Sequence, residues 1–270
     1  MARLIAIRKL LFNRPDHLIV FGPPMRIYTP CMQCVSEGHP AQFTTLELRD
    51  SGLYPVSCSQ GHESVTLLQA HKFEVLFDLA AYAILDGYYR DAVSSFTSAL
   101  EQFYEFYVDL HCHKLGVAEE EFAASWKRVS RLSERQYGAF IFTYLSATKR
   151  APKLLPETAV EFRNKVIHQG KIPSREEAID YGERVAETIV PIIRELKTTD
   201  EDQVQAAVMR HVAKLHKQIT VPKVATMGIA TMVSLLRTPS DPQPSLLEWI
   251  ETIRKQRAPL LSGSILSPLR

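Results

Sequence analysis

Two groups of residues in this chain have the types and spacing to do chemistry. The first begins with Cys31-Met32-Gln33-Cys34 and resumes after 23 intervening residues with Cys58-Ser59-Gln60-Gly61-His62. A tight CxxC turn directs two thiolates to one point. A second turn on a facing hairpin completes a tetrahedral set of three Cys and one His, the donor set of a closed structural zinc site. Gly61 suits the special backbone angles of such a turn. Cys31, Cys34, Cys58 and His62 are therefore the expected ligands, with His39 as the rival for the fourth position. A closed site has no open coordination position, so the zinc is expected to hold a module together and not to react.

The second group is Arg163-Asn164-Lys165-Val166-Ile167-His168. On a helix Asn164 and His168, four apart, share a face, and Arg163 lies on a flank about 140° from His168. Histidine moves protons near neutral pH. Arginine steadies the charge that builds on a phosphorane, and Asn can orient either the imidazole or the phosphate. These are the residue types needed to cleave RNA by attack of its own 2′-OH without a catalytic metal. One His per chain cannot be both base and acid, so a two-fold dimer is expected to supply the second.

At these residues the chain resembles the HEPN superfamily (higher eukaryotes and prokaryotes nucleotide-binding domain). Its helical bundles carry R-x4–6-H, often with Asn, Asp or His after the Arg. The resemblance runs through the long segment DAVSSFTSALEQFYEFY and then FRNKVIHQGKIPSREEAIDYGERVAETI, roughly residues 70–197. It implies a dimeric, metal-independent endoribonuclease with Arg163, Asn164 and His168 as catalytic residues. It also implies a toxin or effector role in antiviral defence and abortive infection. Ser98 and Glu101 match positions where the family places a supporting polar residue. The AMPylated branch of the family has a Tyr two residues after the His. That position is Gly170 here, so this mode of control is not implied. The Cys and His turns, for their part, resemble a zinc ribbon. The alternative reading is a non-catalytic module that binds nucleic acid or protein and serves in sensing or dimerisation.

Charge is unevenly spread along the chain. Residues 62–125 hold 11 acidic and 3 basic residues, whereas 126–175 hold 11 basic and 3 acidic ones. The basic block contains the Arg163 motif and reads as a phosphate-binding surface, with Lys165, Lys171 and Arg150 as the expected RNA contacts. Overall the 270 residues carry a net charge of +2, with 46% apolar and 23% charged residues, which excludes a wholly disordered chain. Four Cys are too few for a disulfide scaffold. The longest apolar run, near 224–236, is too short to span a bilayer, which takes about 20 residues. The N-terminal segment places Arg3, Arg8, Lys9 and Arg14 inside its apolar stretch, which does not fit a signal peptide. A short amphipathic element there and a reducing cytoplasm are the expectation.

The elements that must position these residues follow from periodicity. Residues 1–68 are expected to form an N-terminal segment and a β-rich zinc-ribbon module, with strands near 27–29, 43–48 and 54–56. From about Leu67 the apolar period changes from 2 to 3.6. Residues 69–199 are expected to form a HEPN-like bundle whose long central helix runs from about Arg90 to Lys114. Further helices are expected near 119–128, 133–148, 157–169 and 174–197, the last opened by a Ser174–Glu177 capping box. Residues 200–270 are expected to be a helical extension with a linker at 238–245 and a mobile tail. Either this extension or the zinc ribbon is a candidate surface for a protein partner. The fold class expected is mainly α.

Overall fold

Apolar residues spaced for helices fill most of the chain, and the computed structural model, which describes residues 26–40, 42–220 and 223–261, is accordingly mainly helical with small sheets at its N-terminal side. The N-terminal element lies outside the described residues, as do positions 262–270 of the tail expected from 258 onward; positions 258–261, expected to be mobile, continue the last helix.

Strand β1 (Arg26–Pro30) pairs antiparallel with β2 (Phe43–Glu47), placing Thr29 opposite Thr44. Between them lies the short helix α1 (Met32–Ser36). Strands β3 (Leu53–Ser57) and β4 (Glu63–Leu68) form an antiparallel hairpin with Val56 opposite Ser64. Tyr54 and Val56 alternate into the interior, as period 2 requires. The third strand of this sheet comes from far away: β5 (Val224–Met227) pairs parallel to β4, with Thr66 opposite Ala225. The stretch expected to be only a helical extension thus also completes the N-terminal sheet.

The bundle starts with α2 (Lys72–Leu85), which turns at Gly87 (φ +84°) into α3 (Tyr89–Lys114). Both helices bury an aromatic and aliphatic stripe: Phe73, Phe77, Ala81 and Ile84 on α2, and Phe96, Phe103, Tyr107 and Leu110 on α3. α3 is the central helix. Around it pack α5 (Ser133–Thr148), α6 (Glu157–His168), α7 (Arg175–Thr199), α8 (Glu201–His216) and the shorter α4 (Glu119–Val129). The Ser174–Glu177 capping box is formed: Glu177 N–H donates to Ser174 Oγ and Ser174 N–H donates to Glu177 Oε2. α7 approaches α3 so closely that a Cβ on Gly182 would lie 2.6 Å from Phe96 and 2.5 Å from Leu246.

After β5 the chain crosses α2, and two buried carboxylates hold it there. Glu74 accepts from the N–H of Leu235 at 3.0 Å. Asp78 accepts from the N–H of Met232 at 3.1 Å and from the indole N–H of Trp249 at 3.0 Å. Helix α9 (Leu246–Leu261) then lies against α2, with the Arg257 guanidinium on both oxygens of Asp86.

Candidate functional site

The four expected metal ligands converge. Cys31 caps the start of α1, and its N–H donates to Gln42 O at 2.8 Å. Cys34 lies one turn on and is fully buried. Cys58 and His62 flank the β3–β4 turn, where Gly61 adopts φ +79° and donates its N–H to Cys58 O at 2.9 Å. Cys34 Sγ is 3.7 Å from Cys58 Sγ and 3.4 Å from His62 Nδ1, and Cys31 Sγ is 3.7 Å from His62 Nδ1. A tetrahedral ion with sulfur ligands at ~2.3 Å and nitrogen at ~2.0 Å spaces its donors about 3.5–3.8 Å apart. These four residues could hold a metal ion. No disulfide joins the thiols. Burial and the adjacent Cys58 and Cys31 thiols push the Cys34 thiol up to about 12, a cost that a cation among three thiolates removes.

The His62 ring is held from behind. Its Nε2 faces Glu37 Oε2 at 3.3 Å, which leaves Nδ1 to point at the sulfurs. Glu37 also accepts from the Gln33 amide at 2.8 Å. That bond, with His62, His39 and Lys223 nearby, keeps its carboxyl below the usual range against partial desolvation. A carboxylate behind a ligating imidazole fixes its tautomer and orientation. His39 turns to the same Glu37 at 3.5 Å and stays outside the cluster.

A second group, Asp109, His113 and Glu119, also brings donors together. Protein cations already neutralise its carboxylates: Arg210 reaches Asp109 at 3.1 Å and Lys214 reaches Glu119 at 2.6 Å. The group therefore reads as an ion-pair network joining α3, α4 and α8. The His111-Cys112-His113 triplet lies in the last turn and a half of α3.

Helix α6 carries the Arg163 motif and buries Ala159 and Val166 against the bundle. Arg163 and Asn164 are half-buried, while Lys165 and His168 are exposed. Arg163 leans inward, and its Nε is buried without a hydrogen-bond partner. Its charge sits beside Tyr181, Glu101 and Tyr104. Thr97 donates its hydroxyl hydrogen to Val93 O at 2.9 Å, so the 2.9 Å contact between Thr97 and Tyr181 hydroxyls has Tyr181 as donor. The Tyr181 oxygen is then an acceptor for the guanidinium. Burial raises the Tyr181 and Glu101 pKa values, and Arg163 opposes both shifts. Tyr181 and Thr97 are contacts that no spacing in the sequence announces.

The other expected residues lie as follows. Glu101 and Ser98 line a cavity of about 860 Å³ beneath the β3–β4 sheet, shared with Lys72 and Lys214. His168 is the last residue of α6, and its side chain has no hydrogen-bond partner among the described residues. Beyond it Gly170 (φ +73°) reverses the chain, and Lys171 N–H donates to Lys165 O at 3.0 Å. Lys171 pairs with Glu177 at 2.5 Å and lies 5.2 Å over the Phe162 ring. Arg150 pairs with Glu195, which also accepts from the Tyr144 hydroxyl at 2.7 Å. The Arg163 charge thus acts on the Glu101 carboxyl without an ion pair between them among the described residues. Lys171 and Arg150 are engaged by carboxylates, whereas Lys165 and His168 face solvent.

Comparison with protein-family models, with curated proteins and with solved structures finds no match for this chain. Among the described residues no helix is long and apolar enough to cross a membrane.

Proposed function

We propose that this chain is a HEPN-type endoribonuclease that works as a homodimer in the cytoplasm, with a zinc-stabilised ribbon beside its bundle. The observation that carries the reading is the contrast on α6: a guanidinium turned inward beside Tyr181 and near Glu101, and an imidazole left exposed at the helix end. His168 would take the proton of an RNA 2′-OH. The O2′–P bond forms, the P–O5′ bond breaks, and His168 of a second copy gives a proton to the departing 5′ oxygen. Arg163 stabilises the phosphorane, and Asn164 orients the groups. An effector role in antiviral defence fits such an activity. Zinc suits the Cys31, Cys34, Cys58 and His62 donor set, and lies outside the reaction.

A second reading, a non-catalytic module that senses or dimerises, is favoured by the engagement of Arg163 with its own protomer. One experiment separates the two. Purified wild-type chain should cleave single-stranded RNA in short incubations with EDTA, leaving 2′,3′-cyclic phosphate or 3′-phosphate ends. His168→Ala should lose cleavage by about 10²–10⁴-fold, the usual worth of a general acid or base, and keep RNA binding. Products ending in 3′-hydroxyl, or equal cleavage by His168→Ala, would remove the ribonuclease assignment.

A further inference from the structure

The basic block of the sequence does not form one surface. Arg150, Lys153 and Lys171 are paired with Glu195, Glu187 and Glu177. Four other cations gather where α4 ends and α5 begins: Lys127, Arg128, Arg131 and Arg135. All four are exposed, and among the described residues none has a carboxylate partner. The corner that carries them is anchored to the bundle. Trp126 is buried and stacks on Phe122 with centroids 5.8 Å apart. The buried Gln136 amide donates to Ser130 O at 3.1 Å, and Arg135 donates to Arg128 O at 3.2 Å. Leu132 (48% exposed) lies in the turn between the helices, and Tyr137 (36% exposed) follows two residues after Arg135 on α5.

This corner adjoins the Arg163 site by two routes. Glu134, at the head of α5, and Arg163 both act on the Glu101 carboxyl. The Tyr137 ring lies 5.9 Å from that of Tyr104, which in turn feels the Arg163 charge. Arginines without carboxylate partners at the head of a helix that also exposes an aromatic ring offer phosphate binding together with a face for a base to stack on, the elements of single-strand recognition. We infer that the α4–α5 corner is the docking surface for single-stranded RNA, with Lys127, Arg128, Arg131 and Arg135 on the phosphates and Tyr137 under a base. The strand then leads toward Arg163. This rests on the ribonuclease reading and names where that substrate lies.

The test uses the full chain carrying His168→Ala, so that bound RNA survives, and a fluorescent oligouridine about 15 nucleotides long, near the upper site size for one such surface. The measurement is anisotropy over a range of salt concentrations. Arg128→Gln/Arg131→Gln/Arg135→Gln should lower the slope of log K against log salt by about 2, three single-strand phosphate contacts at ~0.7 each. Tyr137→Ala should weaken binding by about 5–150-fold without changing that slope. Lys153→Gln, a paired cation, should do neither. If the chain cleaves RNA and the triple variant keeps wild-type affinity and slope, the corner is not the docking surface and the catalytic reading stands. If the chain neither binds nor cleaves RNA, both fall. Binding of phosphatidylserine vesicles without RNA binding would also overturn the inference.

Discussion

Asp78 is a carboxyl with no cation in contact among the described residues, sealed under the C-terminal stretch. Its Oδ1 accepts from Met232 N–H and from the Trp249 indole. Burial raises its pKa from an ordinary 3.8 to about 7, against the pull of those two donors. Glu74, one turn away, rises from 4.5 to about 7 for the same reason. Between pH values of about 4 and 7 the folded chain therefore keeps protons that the unfolded chain has lost. Stability falls as pH rises through that window, by up to ~1.4 kcal/mol per pH unit for each group. His71 works in the opposite sense. Burial, with His211, Arg210 and Lys214 near it, pushes its imidazole down from 6.5 to about 3, so its contribution is lost as pH falls below about 6.5. Asp78→Asn keeps an oxygen for the two donors and removes one falling limb. It also strands an amide NH₂, a cost of about 1–3 kcal/mol that does not depend on pH. The variant should thus gain on wild type as pH rises from about 4 to 7, by roughly 2–4 kcal/mol in total, and run parallel to it above. Urea unfolding at a series of pH values across this range reads the difference directly. A difference that stays the same at every pH would show that Asp78 titrates normally, and the argument from its burial would be wrong.

Cys34→Ser should lower bound zinc from one per chain to near zero by elemental analysis, and amides of β1–β4 should lose hydrogen-exchange protection while α3 keeps its own. Gly182→Ala should destabilise the chain by up to about 2 kcal/mol, because overpacking against Phe96 and Leu246 costs roughly 1–3 and helix propensity returns only ~1. Thermal melting checks it, and a more stable variant would contradict the close helix approach. Tyr181→Phe removes the hydroxyl between Thr97 and Arg163; it should cost about 1–2 kcal/mol in stability and lower RNA cleavage about tenfold by loosening the guanidinium, measured as kcat beside the melting temperature.

The helices were legible because their signals are local. A 3.6-residue stripe, a breaker at each end and the Ser174–Glu177 box fix α7 at Arg175–Thr199 against an expected 174–197. The strands were less so. β4 opens with polar Glu63 and Ser64 and takes its place from β3 across the Gly61 turn. β5 is four residues whose partner lies more than 150 positions earlier, and a parallel pairing of that range leaves no local trace. At the candidate sites the same division holds. Cys31, Cys34, Cys58 and His62 announce themselves by type and spacing. Glu37, Tyr181 and Thr97 act through contacts between elements, and their neighbours in sequence say nothing of them. Charge could be counted in advance, but its pairing could not. Lys171 and Arg150 looked as open to phosphate as Arg128 and Arg131, until Glu177 and Glu195 were found beside them.

The Cys31, Cys34, Cys58 and His62 cluster and the chain's C-terminal stretch are mechanically connected. Gln33, inside the α1 turn that carries two of the thiols, accepts from Lys223 at 2.7 Å, and Lys223 O accepts the N–H of Val65 at 3.0 Å. β5 follows at once, tied to β4 by its ladder and by the Gln69 amide on Thr226 at 3.1 Å. Four residues past β5, Thr231 begins the segment that Glu74 and Asp78 hold on α2, and α2 packs along α3. The hairpin with the other two ligands shares β4 with this path. A ribbon of this size has little core of its own: Tyr54, Leu68 and Ala70 form a cluster separate from that of the bundle. Its geometry therefore depends on the Cys and His cluster, which could hold a metal ion, at one end and on β5 at the other. Loosening either end should be felt at the cavity between sheet and bundle, where Ser98 and Glu101 lie. That gives a physical reason for a metal ion held by this cluster to matter to whatever binds in that cavity.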